Sequence, residues 1–156
     1  MTKAYVVYDS IYGNTEKIAK SLATGLESGG AEAEVAKVDE VKFDELNKAD
    51  MLCIGTPVHG WNASKPIREF LERLASVEGL NCKRAFAFDT KMKSRLAGSA
   101  GGKIEKRLRD LGLTVVRPSE SAIVMGREGP LEEGAEERFK QMGVELAKLM
   151  QSQQSF

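Results

Sequence analysis

The stretch Val6-Val7-Tyr8-Asp9-Ser10-Ile11-Tyr12-Gly13-Asn14-Thr15 constrains this chain more than any other. An apolar run ends in a loop of hydroxyls, one amide and one glycine. A helical pattern begins at once, with Ile18, Leu22 and Leu26 at four-residue spacing. The order is strand, tight polar loop, helix N-terminus. The first turn of a helix leaves backbone N–H groups unpaired and carries partial positive charge. Ser10, Asn14 and Thr15 add side-chain donors, and Gly13 lets a ligand come close to the backbone. Together they describe a cradle for one phosphate, built without a lysine or arginine. An ordinary helix cap is the simpler alternative. A cap uses one such residue, whereas four ligand-capable residues occupy the six positions from Ser10 to Thr15.

The same loop excludes other nucleotides. It is not Gly-x-x-x-x-Gly-Lys-Ser/Thr, which argues against a nucleoside triphosphate with magnesium. It is not Gly-x-Gly-x-x-Gly, which argues against a dinucleotide pyrophosphate. Neutral donors around one terminal phosphate suit a mononucleotide. The small residues of Gly98-Ser99-Ala100-Gly101-Gly102-Lys103 have the wrong spacing for a triphosphate loop and lead into a helix instead.

Beyond this segment, apolar runs alternate with helical patterns. Strands are expected over 4–9, 33–38, 51–56 and 84–88, with a ragged fifth from Leu113 through Val116 to Val124. Helices are expected over 15–27, 43–47, 64–75, 100–111 and 131–150. Such alternation predicts a parallel sheet with helices on both faces. Several strands are apolar at both alternating positions, as a sheet covered on both sides requires. Gly29-Gly30 and Gly112 end helices, and Ser64 with Pro66 opens one. Residues 1–156 read as one domain with a frayed tail over 151–156.

The chain has 156 residues, with 23 basic and 23 acidic side chains and a net charge of zero. No basic excess is available for a nucleic-acid backbone. Cys53 and Cys82 have no companion at metal-ligand spacing. Two unpaired thiols, no leader and no apolar span point to the cytoplasm. His59 is the only histidine, so it lacks partners for a metal site.

The segment from Val6 to Leu22 resembles the phosphate-loop signature of the flavodoxin family. Val6, Val7 and Tyr8 match its aliphatic and aromatic positions, Ser10 its hydroxyl, and Gly13 and Thr15 the small residue and the threonine. Gly55-Thr56-Pro57-Val58-His59-Gly60-Trp61 resembles the family's first flavin-ring loop. Phe88-Asp89-Thr90 falls where the second would lie. The resemblance implies a doubly wound five-stranded sheet of order 2-1-3-4-5 in an α/β fold, and FMN as cofactor. Ser10, Tyr12, Gly13, Asn14 and Thr15 would hold the phosphate end. Thr56, Pro57, Val58, His59, Gly60 and Trp61 would lie along the ring, and backbone groups of Asp89 and Thr90 would meet its pyrimidine edge. Gly60 would stand beside the reactive N5, where a glycine allows a peptide flip that turns its carbonyl toward N5–H. Trp61 offers a flat face for stacking. His59 is either a loop residue packed beside the ring or a solvated one; only if it stood near N1 or N5 would its charge make the redox potential pH-dependent.

Two departures stand out. The aromatic usual in the second ring loop is replaced by Lys91-Met92-Lys93-Ser94-Arg95-Leu96, so Met92 or Leu96 would cover the ring. Lys91, Lys93 and Arg95 also form a basic cluster, either a solvated loop or a docking patch for an acidic partner or anionic substrate. The implied function is an FMN electron carrier working between redox partner proteins. An FMN-dependent quinone reductase acting on a small quinone-like substrate, or an enzyme like the menaquinone-linked protoporphyrinogen oxidases, is the alternative. A signalling receiver is disfavoured, because Gly55-Thr56-Pro57 stands where a phosphorylatable aspartate would be needed.

Overall fold

The computed structural model describes residues 2–81, 83–93 and 98–154, with side chains as far as Ser152. Cys82, Arg95 and Leu96 lie outside the described residues.

Strand β1 (Lys3–Tyr8) lies between β2 (Glu32–Lys37) and β3 (Met51–His59), parallel to both. Beyond β3, after the two-residue β4 (Asn62–Ala63), comes β5 (Arg84–Met92), again parallel. The outer position is shared by β6 (Thr114–Val115) and β7 (Glu120–Val124), both parallel to β5. The spatial order is β2-β1-β3-β5-β6/β7. Counted without the short β4, this is the expected 2-1-3-4-5. The helices are α1 (Asn14–Ser28), α2 (Phe43–Asn47), α3 (Lys65–Leu74), α4 (Gly101–Asp110) and α5 (Ala135–Gln154).

Side-chain alternation sorts the sheet into two cores. Ala4, Val6 and Tyr8 of β1, Met51 and Cys53 of β3, and Phe86 and Phe88 of β5 face α1 and α5. Tyr5 and Val7, Leu52 and Ile54, and Ala85 and Ala87 face α3 and α4. Helices α1 and α5 cross with little between them. A Cβ at Gly25 would lie 1.8 Å from the Lys140 carbonyl oxygen, and one at Gly143 would lie 2.3 Å from that of Leu22. These two glycines let backbone meet backbone.

Several boundaries differ from the sequence expectation. The ragged fifth strand is two pieces, because Pro118 has no N–H to give a ladder. Arg117, just before it, instead lies 5.7 Å from the Phe86 ring centre and pairs with Glu120 and Glu145. The last helix starts at Ala135 rather than Leu131. Leu131 bridges antiparallel to Val124, and Gly134 (φ +85°) turns the chain into the helix. Ser64 precedes α3 without a side-chain capping bond, and its buried hydroxyl has no partner among the described residues.

Candidate functional site

The loops after β1, β3, β5 and β7 converge at the carboxyl end of the sheet, beside the reversal in strand order. Open α/β sheets place ligands there. They enclose a cavity of about 250 Å³. Ser10, Tyr12, Asn14 and Thr15 line one side. Pro57, Val58 and His59 line the second, Thr90, Lys91 and Met92 the third, and Val124, Gly126 and Arg127 the fourth.

On the first side, α1 begins with no side-chain cap. The N–H groups of Asn14, Thr15 and Glu16 precede the first helical bond, from Lys17 N to the Gly13 carbonyl (3.1 Å). Gly13 adopts φ +89°, and a Cβ there would meet nothing within 4 Å. Its N–H donates to Ser10 Oγ (3.0 Å), which folds the loop over the helix start. Asn14 lines the cavity and is tied by its side chain to the fourth side. Its Nδ2 donates to the Glu128 carbonyl (3.2 Å) and ties the β7–α5 loop to the cradle. Buried Thr15 shares a 2.7 Å hydrogen bond with Thr90 of β5. The fit to a phosphate thus rests on open backbone donors beside the cavity, with Thr15 held between the two strand ends.

The second and third sides are more regular than expected. β3 continues to His59 and β5 to Met92, so Thr56–His59 and Asp89–Thr90 are strand residues rather than loops. Thr56 pairs in register with Asp89, and Pro57 with Thr90. Fully buried Thr56 donates its hydroxyl to the Pro57 carbonyl (2.8 Å) and accepts from the Ser64 N–H (2.9 Å). Its role is to fix the turn, with its side chain behind the lining. Asp89 is also fully buried. Its Oδ2 accepts from Ser99 Oγ (2.8 Å) and from the N–H groups of Ala100 and Gly101 (3.0 Å each). The Asp89 side chain therefore holds the start of α4 and does not face the cavity.

Gly60 and Trp61 form the two-residue turn between β3 and β4, since His59 pairs with Asn62. Both have positive φ, +53° and +68°. That is the signature of a type I′ hairpin turn. Nothing crowds Gly60 within 4 Å of a Cβ position. A bulky residue at positive φ is uncommon. The Trp61 indole packs against Gly98, where a Cβ would approach it to 2.3 Å. In this structure Trp61 therefore sits over the segment before α4 rather than among the cavity-lining residues. His59 lines the mouth and is exposed.

Sequence reasoning missed the fourth side. Val124 ends the last strand and Gly126 and Arg127 follow it, at a strand carboxyl end of the kind where such sheets place ligands. Arg127 and Lys91 also make the cavity less free of cations than the phosphate loop alone suggested. Among the described residues, no group of three or more His, Cys, Asp or Glu side chains could hold a metal ion. Buried Cys53 has its thiol pushed up to about 12 by burial, which keeps it protonated and inert.

Residues 6–142 match the family model for flavodoxin, so the chain belongs to the flavodoxin family. It is similar to the flavo-diiron protein FprA2 of Clostridium acetobutylicum, with 29% identity over 92% of this chain and 35% of that protein. A shorter match, 44% identical, covers 36% of the chain and 29% of a NAD(P)H dehydrogenase (quinone) from Sinorhizobium fredii. The chain thus spans about a third of the length of these curated relatives. Among solved structures, a flavodoxin from the domain Archaea superposes with a TM-score of 0.82 at 25% identity, covering 96% of this chain and 99% of that one.

Proposed function

We infer that this chain binds FMN non-covalently and transfers electrons between redox partners. One observation carries the reading: the uncapped start of α1 opens into a cavity whose other sides are the carboxyl ends of β3, β5 and β7. A phosphate at that helix start would receive the free N–H groups of Asn14, Thr15 and Glu16 and the Thr15 hydroxyl. FMN, when bound, supplies the redox chemistry, in one- or two-electron steps. The chain's residues bind, orient and shield it. Pro57 and Val58 give one wall of fixed geometry, since Thr56 locks the turn from behind. Tyr12 is the exposed aromatic of the lining available to cover the ring, and Trp61, exposed beside the mouth, would have to leave its contact with Gly98 to do so. The Gly60 carbonyl is the backbone group we assign to N5, because positive φ and open surroundings let that peptide rotate.

We read residues 1–156 as one domain acting in the cytoplasm. Among the described residues no helix is long and apolar enough to cross a membrane. A quinone reductase built on the same site is the second reading, favoured by the likeness to the Sinorhizobium fredii protein. Anaerobic potentiometric titration of the FMN-loaded protein separates them. Two resolved one-electron waves support the carrier, and a single two-electron wave with turnover of a soluble quinone supports the reductase.

A further inference from the structure

Among the described residues, the exposed large apolar side chains are Ile11, Tyr12, Trp61, Met92 and Met125, each at least 44% exposed. All five come from one end of the sheet. Ile11, Tyr12 and Met92 line the cavity, Met125 lies between the lining residues Val124 and Gly126, and Trp61 follows two residues after His59. Scattered exposed apolar residues need no explanation, but a collar confined to one site marks an interaction surface.

The charges at the collar are one-sided. The ionisable residues lining the cavity are His59, Lys91 and Arg127, apart from the Tyr12 phenol, and no carboxylate is among them. Lys93, exposed, stands two residues beyond Lys91 on the same edge. Lys91, Lys93 and Arg127 form no ion pair with any described residue. Four carboxylates adjoin lining residues in sequence, and none lines the cavity: Asp9 and Asp89 are buried, Glu16 is held by Tyr8 and Lys20, and Glu128 is exposed next to Arg127. Asp39 and Glu40 follow β2, beyond β1 from the cationic side. The chain's net charge is zero, so this asymmetry is local.

We propose that the collar docks a redox protein whose own cofactor edge is rimmed by carboxylates and a few apolar side chains. This rests on the electron-carrier reading, because a flavin in the cavity would exchange electrons through that mouth. The apolar collar supplies a contact that excludes water. Lys91, Lys93 and Arg127 select the sign of the partner and steer its approach.

The test is an NMR titration of the ¹⁵N-labelled protein with an acidic plant-type ferredoxin, and in parallel with basic cytochrome c. Binding is read at backbone amides and the Trp61 indole, so it reports docking whether or not flavin is bound. Flavin absorbance of the same sample reports the FMN reading independently. The expected result is ferredoxin-induced shifts centred on Ile11, Trp61, Met92 and Met125. They should weaken about tenfold or more in affinity between roughly 20 mM and 300 mM salt. The double variant K93E/R127E should lose ferredoxin binding and gain it for cytochrome c. A preference of the unmodified protein for cytochrome c, shifts spread over the α1–α5 face, or salt-independent shifts would overturn the proposal. So would no shifts with ferredoxin, including the case in which only anthraquinone-2,6-disulfonate shifts the mouth, which would mark a small-anion site.

Discussion

Replacing Thr90 with valine isolates the contact on which the phosphate end of the site turns. Valine keeps the branched shape of threonine and puts a methyl group where the hydroxyl was, so the hydrogen bond is lost with little change of volume. Thr15 is 2% exposed and Thr90 is 4% exposed, and their hydroxyls meet at 2.7 Å. The variant leaves the Thr15 hydroxyl buried without its partner. An unsatisfied buried hydroxyl costs roughly 1–3 kcal/mol. Thr90 lines the cavity, so water can reach the gap and the lower half of that range applies. For a chain of this size the loss is a fall in Tm of roughly 2–8 °C without FMN. With FMN bound, a phosphate oxygen can accept from Thr15, and the penalty shrinks. Riboflavin lacks the phosphate and cannot relieve it. The FMN-to-riboflavin affinity ratio of T90V should therefore stay equal to, or rise up to about tenfold above, that of the unmodified protein. Thermal melts with and without FMN, and fluorescence titrations with both flavins, measure these quantities. An unchanged Tm without flavin, together with a ratio that drops tenfold or more, would refute the reasoning and make Thr90 itself a phosphate ligand.

Three further outcomes follow from other contacts. D89A removes the acceptor for three donors at the start of α4. It should lose about 2 kcal/mol or more in urea unfolding. D89N keeps one acceptor oxygen and should recover most of that, because the other oxygen, Oδ1, has no partner among the described residues. G143A drives a Cβ into the Leu22 carbonyl and should cost at least about 1–3 kcal/mol by separating α1 from α5. The Tyr8 hydroxyl donates to Glu16 (2.7 Å) and, with lesser help from Lys20, holds the Glu16 carboxyl below the usual carboxylate range. A lowered carboxyl stabilises the fold above its unfolded pKa, and the contribution fades as pH falls through the folded one. Y8F should therefore show a shallower loss of stability below about pH 4.5 than the unmodified protein, measured by melts across pH.

The strands were legible because β1, β3 and β5 are apolar on both faces, which only a doubly covered sheet explains. The start of α1 was legible to within a residue, expected at Thr15 and found at Asn14, for a local reason: the polar cluster and the periodicity lie side by side. What stayed hidden depends on distant partners. Thr15 and Thr90 are 75 residues apart, and nothing local marks them as a pair. The family resemblance gave a role to the Asp89 backbone and none to its side chain, which holds the start of α4. Its three donors lie 10 to 12 residues onward, beyond the reach of helix or strand periodicity. The Gly60-Trp61 turn carries a tryptophan where asparagine and glycine are the usual signals, so its hairpin geometry had no sequence mark. The split of the last strand was signalled by Pro118. The extra wall from Val124 to Arg127 emerged only once β7 was seen to end at the cavity.

The most direct measurement is an equilibrium titration of the flavin-free protein with FMN and, separately, with riboflavin, followed by flavin fluorescence. The account predicts saturable one-to-one binding of FMN, with riboflavin at least about a hundredfold weaker because the α1 cradle contributes only to the phosphate. Equal affinity for the two flavins, or no binding of either, would contradict it.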